Sequence, residues 1–392
     1  MSPGPRFPLA RRLVVAVAAA VVALALAEVL ARTWLANHAD AAQFRRYASI
    51  ADFRARGGDG LFVRHAYLGY VPRPDYASGA NRHDSRGYRS AEVATPKPRD
   101  EFRVVCMGGS TTYTQDVEDW RACYPMQLES ELHARGHARV RVVNAGVPNW
   151  TSWEHLVAYE FRVRELEADL VVVLEGVNDL KARLVADPAD YRADNSGYRS
   201  FSTNLTMPPL PEHSAAWRIV AVNSGWMRPH SDLERALDNH AGKSLWGALR
   251  AQMTEGTYPE GEMIENPADA ILARTPPIHF ERNIETLTVL ARRDGAGVLL
   301  LTSPSCTERN ARSEQAARIF EAGLAEMNDA LRRIAERTGA HVHDLAAEMP
   351  RDPALYRDEV HPNALGAQVL ARSVAGAIER SFLTQPRPTA GR

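Results

Sequence analysis

Four short segments of this chain carry residue types that can together perform acyl transfer. They are Gly108-Gly109-Ser110-Thr111-Thr112, Asn144-Ala145-Gly146, Gly176-Val177-Asn178-Asp179 and Asp358-Glu359-Val360-His361-Pro362. A serine hydroxyl attacks an ester carbonyl once a base takes its proton, and His361 is suited to that task at neutral pH. Asp358, three residues earlier, can face Nδ1 across a short turn and fix the tautomer that leaves Nε2 free to accept. The Asn178 amide and the backbone N–H groups of Gly146 and Ser110 are candidate donors to an oxyanion. Each segment alone has a plainer reading. Ser110 would cap a helix, Asn178 would sit in a turn, and Asp358 to His361 would be an exposed acidic turn. The four in order point to hydrolysis.

The elements that must position these residues are legible from about Phe102 onward. Apolar, strand-like runs occur at Phe102–Met107, Val140–Asn144, Leu170–Leu174, Val298–Thr302 and His341–Leu345. Between them the apolar residues recur at helical spacing, as in Leu156, Tyr159, Val163 and Leu166, or Phe320, Leu324, Met327, Leu331 and Ile334. Strands apolar on both faces, alternating with amphipathic helices, imply an α/β domain with a mostly parallel sheet covered on each side. Ligands of such sheets bind beyond the C-terminal strand ends. Ser110, Gly146 and Asn178 each follow a strand there. Gly-Gly-Ser-Thr-Thr lacks the Gly-x-Ser-x-Gly spacing of a nucleophile elbow and the Gly-Lys-Ser/Thr of a P-loop.

The motif set resembles the SGNH (GDSL-like) hydrolases over roughly Phe102 to Glu379, apart from an insertion. The resemblance implies a three-layer α/β/α fold of flavodoxin-like type. It also implies nucleophile Ser110, base His361, orienting acid Asp358, and an oxyanion hole of Ser110, Gly146 and Asn178. Gly109 stands where the family has the Asp of Gly-Asp-Ser, so the support of this turn is expected to differ. The loose likeness of the N-terminal part is to membrane-anchored bacterial members.

Composition narrows the setting. The formal net charge of −1 gives no field for nucleic acid or anionic membranes. Lysine is confined to Lys97, Lys181 and Lys243 while arginine abounds, a GC-rich coding bias that suggests a bacterial source. Arg6, Arg11 and Arg12 precede the unbroken apolar run Leu13 to Ala27, which continues past Glu28 to Ala31. We read residues 1–32 as a retained signal anchor with its basic end cytoplasmic; the alternative is a signal peptide cleaved near Ala25-Leu26-Ala27. Either way the body is expected outside the inner membrane, periplasmic or extracellular.

Residues 33–100 read as a stalk and a turn-rich extension in which His83 and Tyr88 can reach a site edge. Residues 101–385 form the hydrolase domain, with an insertion at about 182–277 read either as a cap over the pocket or as a peripheral addition. Cys106 is expected to be buried, and Cys123 and Cys306 are a candidate disulfide in an exported domain. His341-x-His343-Asp344 reads as strand-end packing, because no third metal ligand is suitably spaced. Asp116, Glu118 and Asp119 read as a solvated loop, with a rim contact to a sugar hydroxyl as the alternative. No metal or cofactor is expected.

The expected activity is an exported serine esterase acting on an O-acetyl group of a carbohydrate, with Trp150 and Trp153 as aromatic residues near the site. The alternatives are an O-acyltransferase on an envelope or extracellular polysaccharide, and a carbohydrate-binding protein without turnover.

Overall fold

The structure, a computed structural model, describes residues 9–49, 52, 61–65, 67–194, 196, 213–227 and 244–383. Much of the expected stalk after Ser49 and two stretches of the insertion fall outside them. Leu9–Asn37 forms α1, the one helix among the described residues long and apolar enough to cross a membrane. Its side chains from Leu13 to Leu30 are exposed, apart from a half-buried Glu28. Asp40 caps the short α2, Ala41–Tyr47.

The alternation expected from the sequence then unfolds. In chain order come β1 (Phe102–Gly108), α3 (Ser110–Tyr113), α4 (Tyr124–Ala134), β2 (Val140–Gly146), α5 (Ser152–Ala158), β3 (Leu170–Leu174) and α6 (Val177–Arg183). They are followed by α7 (Ala215–Asn223), α8 (Trp246–Glu255), α9 (Ile278–Arg293), β4 (Gly297–Leu301), α10 (Glu314–Thr338), β5 (His341–His343) and α11 (Ala364–Ile378). The last strand is shorter than expected because Leu345 opens a helical turn, Leu345–Glu348.

The five strands form one parallel sheet in the order β2-β1-β3-β4-β5. Successive side chains point to opposite faces, so each strand feeds two cores. Val105, Met107, Val171 and Val173 pack with Ile284 and Leu287 of α9 and Phe320 and Leu324 of α10. Val104, Cys106, Leu170, Val172 and Leu174 pack instead with Leu128 and Leu132 of α4 and Leu370 and Val374 of α11. This is the expected three-layer α/β/α fold. Its order reverses between β1 and β3, the switch point beside which open α/β sheets place their ligands.

The insertion is divided between two compact units. Its helix α7 groups with α1 and α2 in a compact unit made of Met1–Val63 and Phe201–Asn239. There Leu35, Phe44, Ala48 and Ala215 share a small apolar cluster. The part that includes α8 belongs to the unit formed by Arg64–Ser200 and His240–Arg392. Leu249 and Met253 enter its core, and Trp246 meets Phe320 with ring centroids 5.6 Å apart. Cys106, Cys123 and Cys306 are all buried and free, so the candidate disulfide is not formed.

Candidate active site

Ser110 occupies the first turn of α3, directly after β1, with Gly109 at the N-cap position. It is therefore not the capping serine of the plainer reading. Its Oγ lies 2.7 Å from His361 Nε2, across 251 residues of sequence. The Ser110 N–H, in the first turn of a helix, has no intrahelical acceptor and is free to serve an incoming oxygen. Glycine at the two positions before Ser110 keeps this approach open. A side chain at Gly108 (φ +156) would run into Leu174 O at 2.3 Å, and one at Gly109 would meet Asn178 Nδ2 at 2.5 Å. Gly109, where the resembling family has Asp, thus leaves room for the Asn178 amide.

His361 and Asp358 close on each other through the turn that precedes α11. Asp358 Oδ1 accepts from the Val360 and His361 amides at 3.0 and 2.9 Å. His361 Nδ1 stands 2.9 Å from Oδ1 and 2.8 Å from Oδ2. Burial works to raise the Asp358 carboxyl, but the His361 ring and these two amides outweigh it and hold it well below the usual carboxylate range. Asp358 is thus an anion aimed at Nδ1, and the tautomer with a bare Nε2 facing Ser110 is favoured. That arrangement can take a proton from the hydroxyl as it attacks.

Asn178, in the first turn of α6, donates Nδ2–H to Trp150 O at 2.7 Å, which leaves its second amide hydrogen available. With Ser110, Gly176, Val177, Ser303 and Pro304 it lines a cavity of about 20 Å³. Gly146 does not line this cavity. Its N–H donates to Asn144 Oδ1 at 3.0 Å, and its Cα is walled by the α3 backbone, with a Cβ there 2.3 Å from Tyr113 N. The expected oxyanion role of Gly146 is therefore corrected: this glycine lets β2 and α3 approach. The backbone beside the Asn178 amide belongs to the following turn, where Asn149 is left-handed (φ 62).

Trp150 also differs from expectation. It is 1% exposed and packs on His155 and Tyr70 with centroids 5.4 and 6.3 Å away, so it has no face to offer a sugar. Beneath it lies a buried polar network. His155 Nε2 meets Glu175 Oε1 at 2.7 Å, and Asp179 accepts from the Ser152 amide and hydroxyl. Burial first, and then the Glu175 charge, push the Asp179 carboxyl up to about 7.

Several supporting contacts were not visible in the sequence. Arg89 is buried and donates to the carbonyls of Tyr113, Thr114 and Val117, fastening the chain that leaves α3. His83 Nε2 pairs with the Tyr113 hydroxyl at 2.9 Å. The turn-rich extension thus supports the nucleophile helix instead of rimming the pocket. Arg250, on α8, lies 3.0 Å from Asp358 Oδ2 and 2.5 Å from Glu359 Oε1. The buried Glu359 also accepts from Asn310 Nδ2 at 2.7 Å.

Asp116 is not merely solvated, since it reaches within 3.8 Å of His361 Nδ1. Asp116, Asp358 and His361 have ligand atoms within 4.8 Å of one another. The Arg250 guanidinium on Asp358, and the His361–Asp358 bond, already satisfy this trio and disfavour a cation. His343 bonds Ser373 Oγ at 2.8 Å, and Asp344 pairs with Arg332 and Thr302, as expected of strand-end packing.

A family model described as the GDSL-like lipase/acylhydrolase family matches residues 106–369. No curated protein matches the chain by sequence. Among solved structures, the chain is similar to an alpha/beta hydrolase from the metagenome of Lake Arreo, Spain. The identity is 19% and the TM-score 0.38, covering 70% of this chain and 94% of that one. It is also similar to an acetylxylan esterase from Geobacillus stearothermophilus, at 16% identity and TM-score 0.39, covering 72% and 96%. A third is a GDSL-like lipase from Bacteroides thetaiotaomicron, at 15% identity and TM-score 0.39, covering 74% and 93%.

Proposed function

The chain belongs to the GDSL-like lipase/acylhydrolase family, and on that premise we propose that it is an exported, membrane-anchored serine esterase that removes an O-acetyl group from a carbohydrate. The observation that carries the reading is the unbroken run of contacts from Ser110 Oγ through His361 to Asp358. In this mechanism His361 Nε2 takes the Ser110 proton as Oγ attacks the ester carbonyl. The Ser110 N–H and the Asn178 amide hold the oxyanion. The alcohol leaves with the proton from His361, which then activates water to clear the acyl-enzyme.

The size of the space beside the nucleophile supports a small acyl group. A cavity of about 20 Å³ beside Ser110 and Asn178 has room for roughly one water-sized group. We assign it to the acyl methyl. A polar rim of Asp116 and Arg250 near His361 suits a hydroxyl-rich alcohol better than a lipid tail.

The test is chain-length selectivity. p-Nitrophenyl acetate is expected to exceed the butyrate in kcat/KM by roughly tenfold or more, since each methylene a pocket cannot take costs ~1–3 kcal/mol. Faster turnover of octanoate would refute the acetyl assignment. Release of acetate from an acetylated polysaccharide by the full chain then tests the alcohol side.

Arg250 provides a second check on this machinery. Arg250→Met removes the guanidinium that bonds Asp358 Oδ2 and the buried Glu359. kcat is then expected to fall by roughly tenfold, since a buried carboxylate loses its charged partner and the turn that carries Asp358 loosens. Arg250→Lys should restore most of the rate. A kcat unchanged in Arg250→Met would mark the pair as a surface bridge without effect on the chemistry.

A further inference from the structure

The unit that contains α1 joins a helix from the insertion to that apolar helix at one acidic residue. Glu28 of α1 accepts from Ser214 Oγ at 2.7 Å and from the Ala215 and Ala216 amides at 3.1 Å. Arg32, one turn further along α1, bonds Glu28 at 2.6 Å and His213 O at 2.6 Å. The N-terminus of α7 is thereby capped by a carboxylate from a helix 186 residues earlier in sequence. The other end is also held: Arg218 Nε donates to Tyr47 O at 3.0 Å, and the Tyr47 hydroxyl donates to Asn223 at 2.9 Å.

The level of this joint follows from helix geometry. At 1.5 Å per residue, Glu28 stands about 24 Å along the axis from Arg12. The hydrocarbon layer is about 30 Å thick, so when Arg12 marks its near boundary the far one falls near Arg32, one turn beyond Glu28, and Glu28 with the start of α7 lies just inside it. At that level α7 and the turn after it present an apolar face outward. Trp217, Val220 and Trp226 are 39%, 52% and 72% exposed, and the two indole rings are 6.0 Å apart. Paired exposed tryptophans are costly in water and favoured at a bilayer interface, where the ring has both an apolar and a polar side to satisfy. This face lies in the same compact unit as the exposed apolar flank of α1.

We propose that α7 with Trp226 is an interfacial foot: the insertion returns to the bilayer and seats Trp217, Val220 and Trp226 among lipid headgroups and upper acyl chains. The proposal rests on the membrane-anchor part of the reading above and is independent of the esterase chemistry. Glu28 is then the latch that holds the foot to the anchor, which accounts for an acidic residue late in an apolar helix.

The test uses the full chain in vesicles of phosphatidylcholine with phosphatidylglycerol, prepared with ordinary or with brominated acyl chains. Trp217→Phe/Trp226→Phe keeps the face apolar, so subtracting its emission from the wild type isolates these two of the seven tryptophans. Brominated chains are expected to remove about half or more of that difference emission, since an interfacial helix sits ~5–10 Å into the headgroup–acyl boundary. Iodide in the water should leave most of it intact. Difference emission untouched by bromine overturns the proposal, whether the rings face water or another protein. Flotation with the vesicles after an alkaline wash separates the two readings. A chain that floats but shows no bromine quenching keeps the anchor and loses the foot; a chain that does not float loses both.

Discussion

Hydrolysis of p-nitrophenyl acetate by the Ser110→Ala chain is expected to fall by roughly 10⁵–10⁶-fold in kcat, because the step it removes is the formation of the covalent intermediate. The substitution deletes one oxygen whose described side-chain bond is to His361. It leaves β1, α3 and the Gly109 approach unchanged, so the fold and the thermal midpoint should stay close to wild type. Some acceleration over water should survive, because Asn178 and the Ser110 N–H still face the carbonyl oxygen. A Ser110→Ala chain that keeps more than about a hundredth of wild-type kcat would assign the chemistry to another group.

Asp358→Asn is the second large effect, and the geometry says why an almost isosteric change should cost roughly 10⁴-fold. The Val360 and His361 amides both donate to Oδ1, so an asparagine will keep its oxygen there. Its NH₂ group then takes the place of Oδ2, facing His361 Nδ1 at 2.8 Å and the Arg250 guanidinium at 3.0 Å. The contact with Arg250 becomes donor against donor, and so does that with His361 Nδ1 unless His361 moves its proton to Nε2. That tautomer presents N–H to Ser110 and cannot accept the hydroxyl proton. The loss should appear in kcat with KM little changed, and a loss below tenfold would mean that Asp358 does not set the tautomer.

The sheet was legible because its apolar runs are short, two-faced and separated by amphipathic helices. The meeting of Ser110 with His361 and Asp358 was legible because Ser110 follows a strand end and the other two share one short turn before α11. Gly146 misled because a glycine after a strand serves two purposes that sequence cannot separate: donating its N–H, or letting another backbone come close. Here it does the second. Trp150 misled in a similar way, since an aromatic residue near the site reads equally as a sugar platform or as packing beneath it. Arg89 and Arg250 carried no local signal. Their partners lie 8 to 109 residues away, and in an arginine-rich chain neither stands out. The insertion could not be divided in advance, because the tie between Glu28 and Ser214 depends on a contact that no periodicity announces.

If Ser110 is the nucleophile of an acyl-enzyme, a fluorophosphonate probe will be captured by that residue. The full chain is titrated with the probe, residual esterase activity is followed, and the modified peptide is located by mass spectrometry. One adduct per chain is expected, on Ser110, rising in step with the loss of activity and absent from His361→Ala at the same exposure. Complete inactivation with the adduct on a different residue, or full activity in a chain labelled at Ser110, would contradict it.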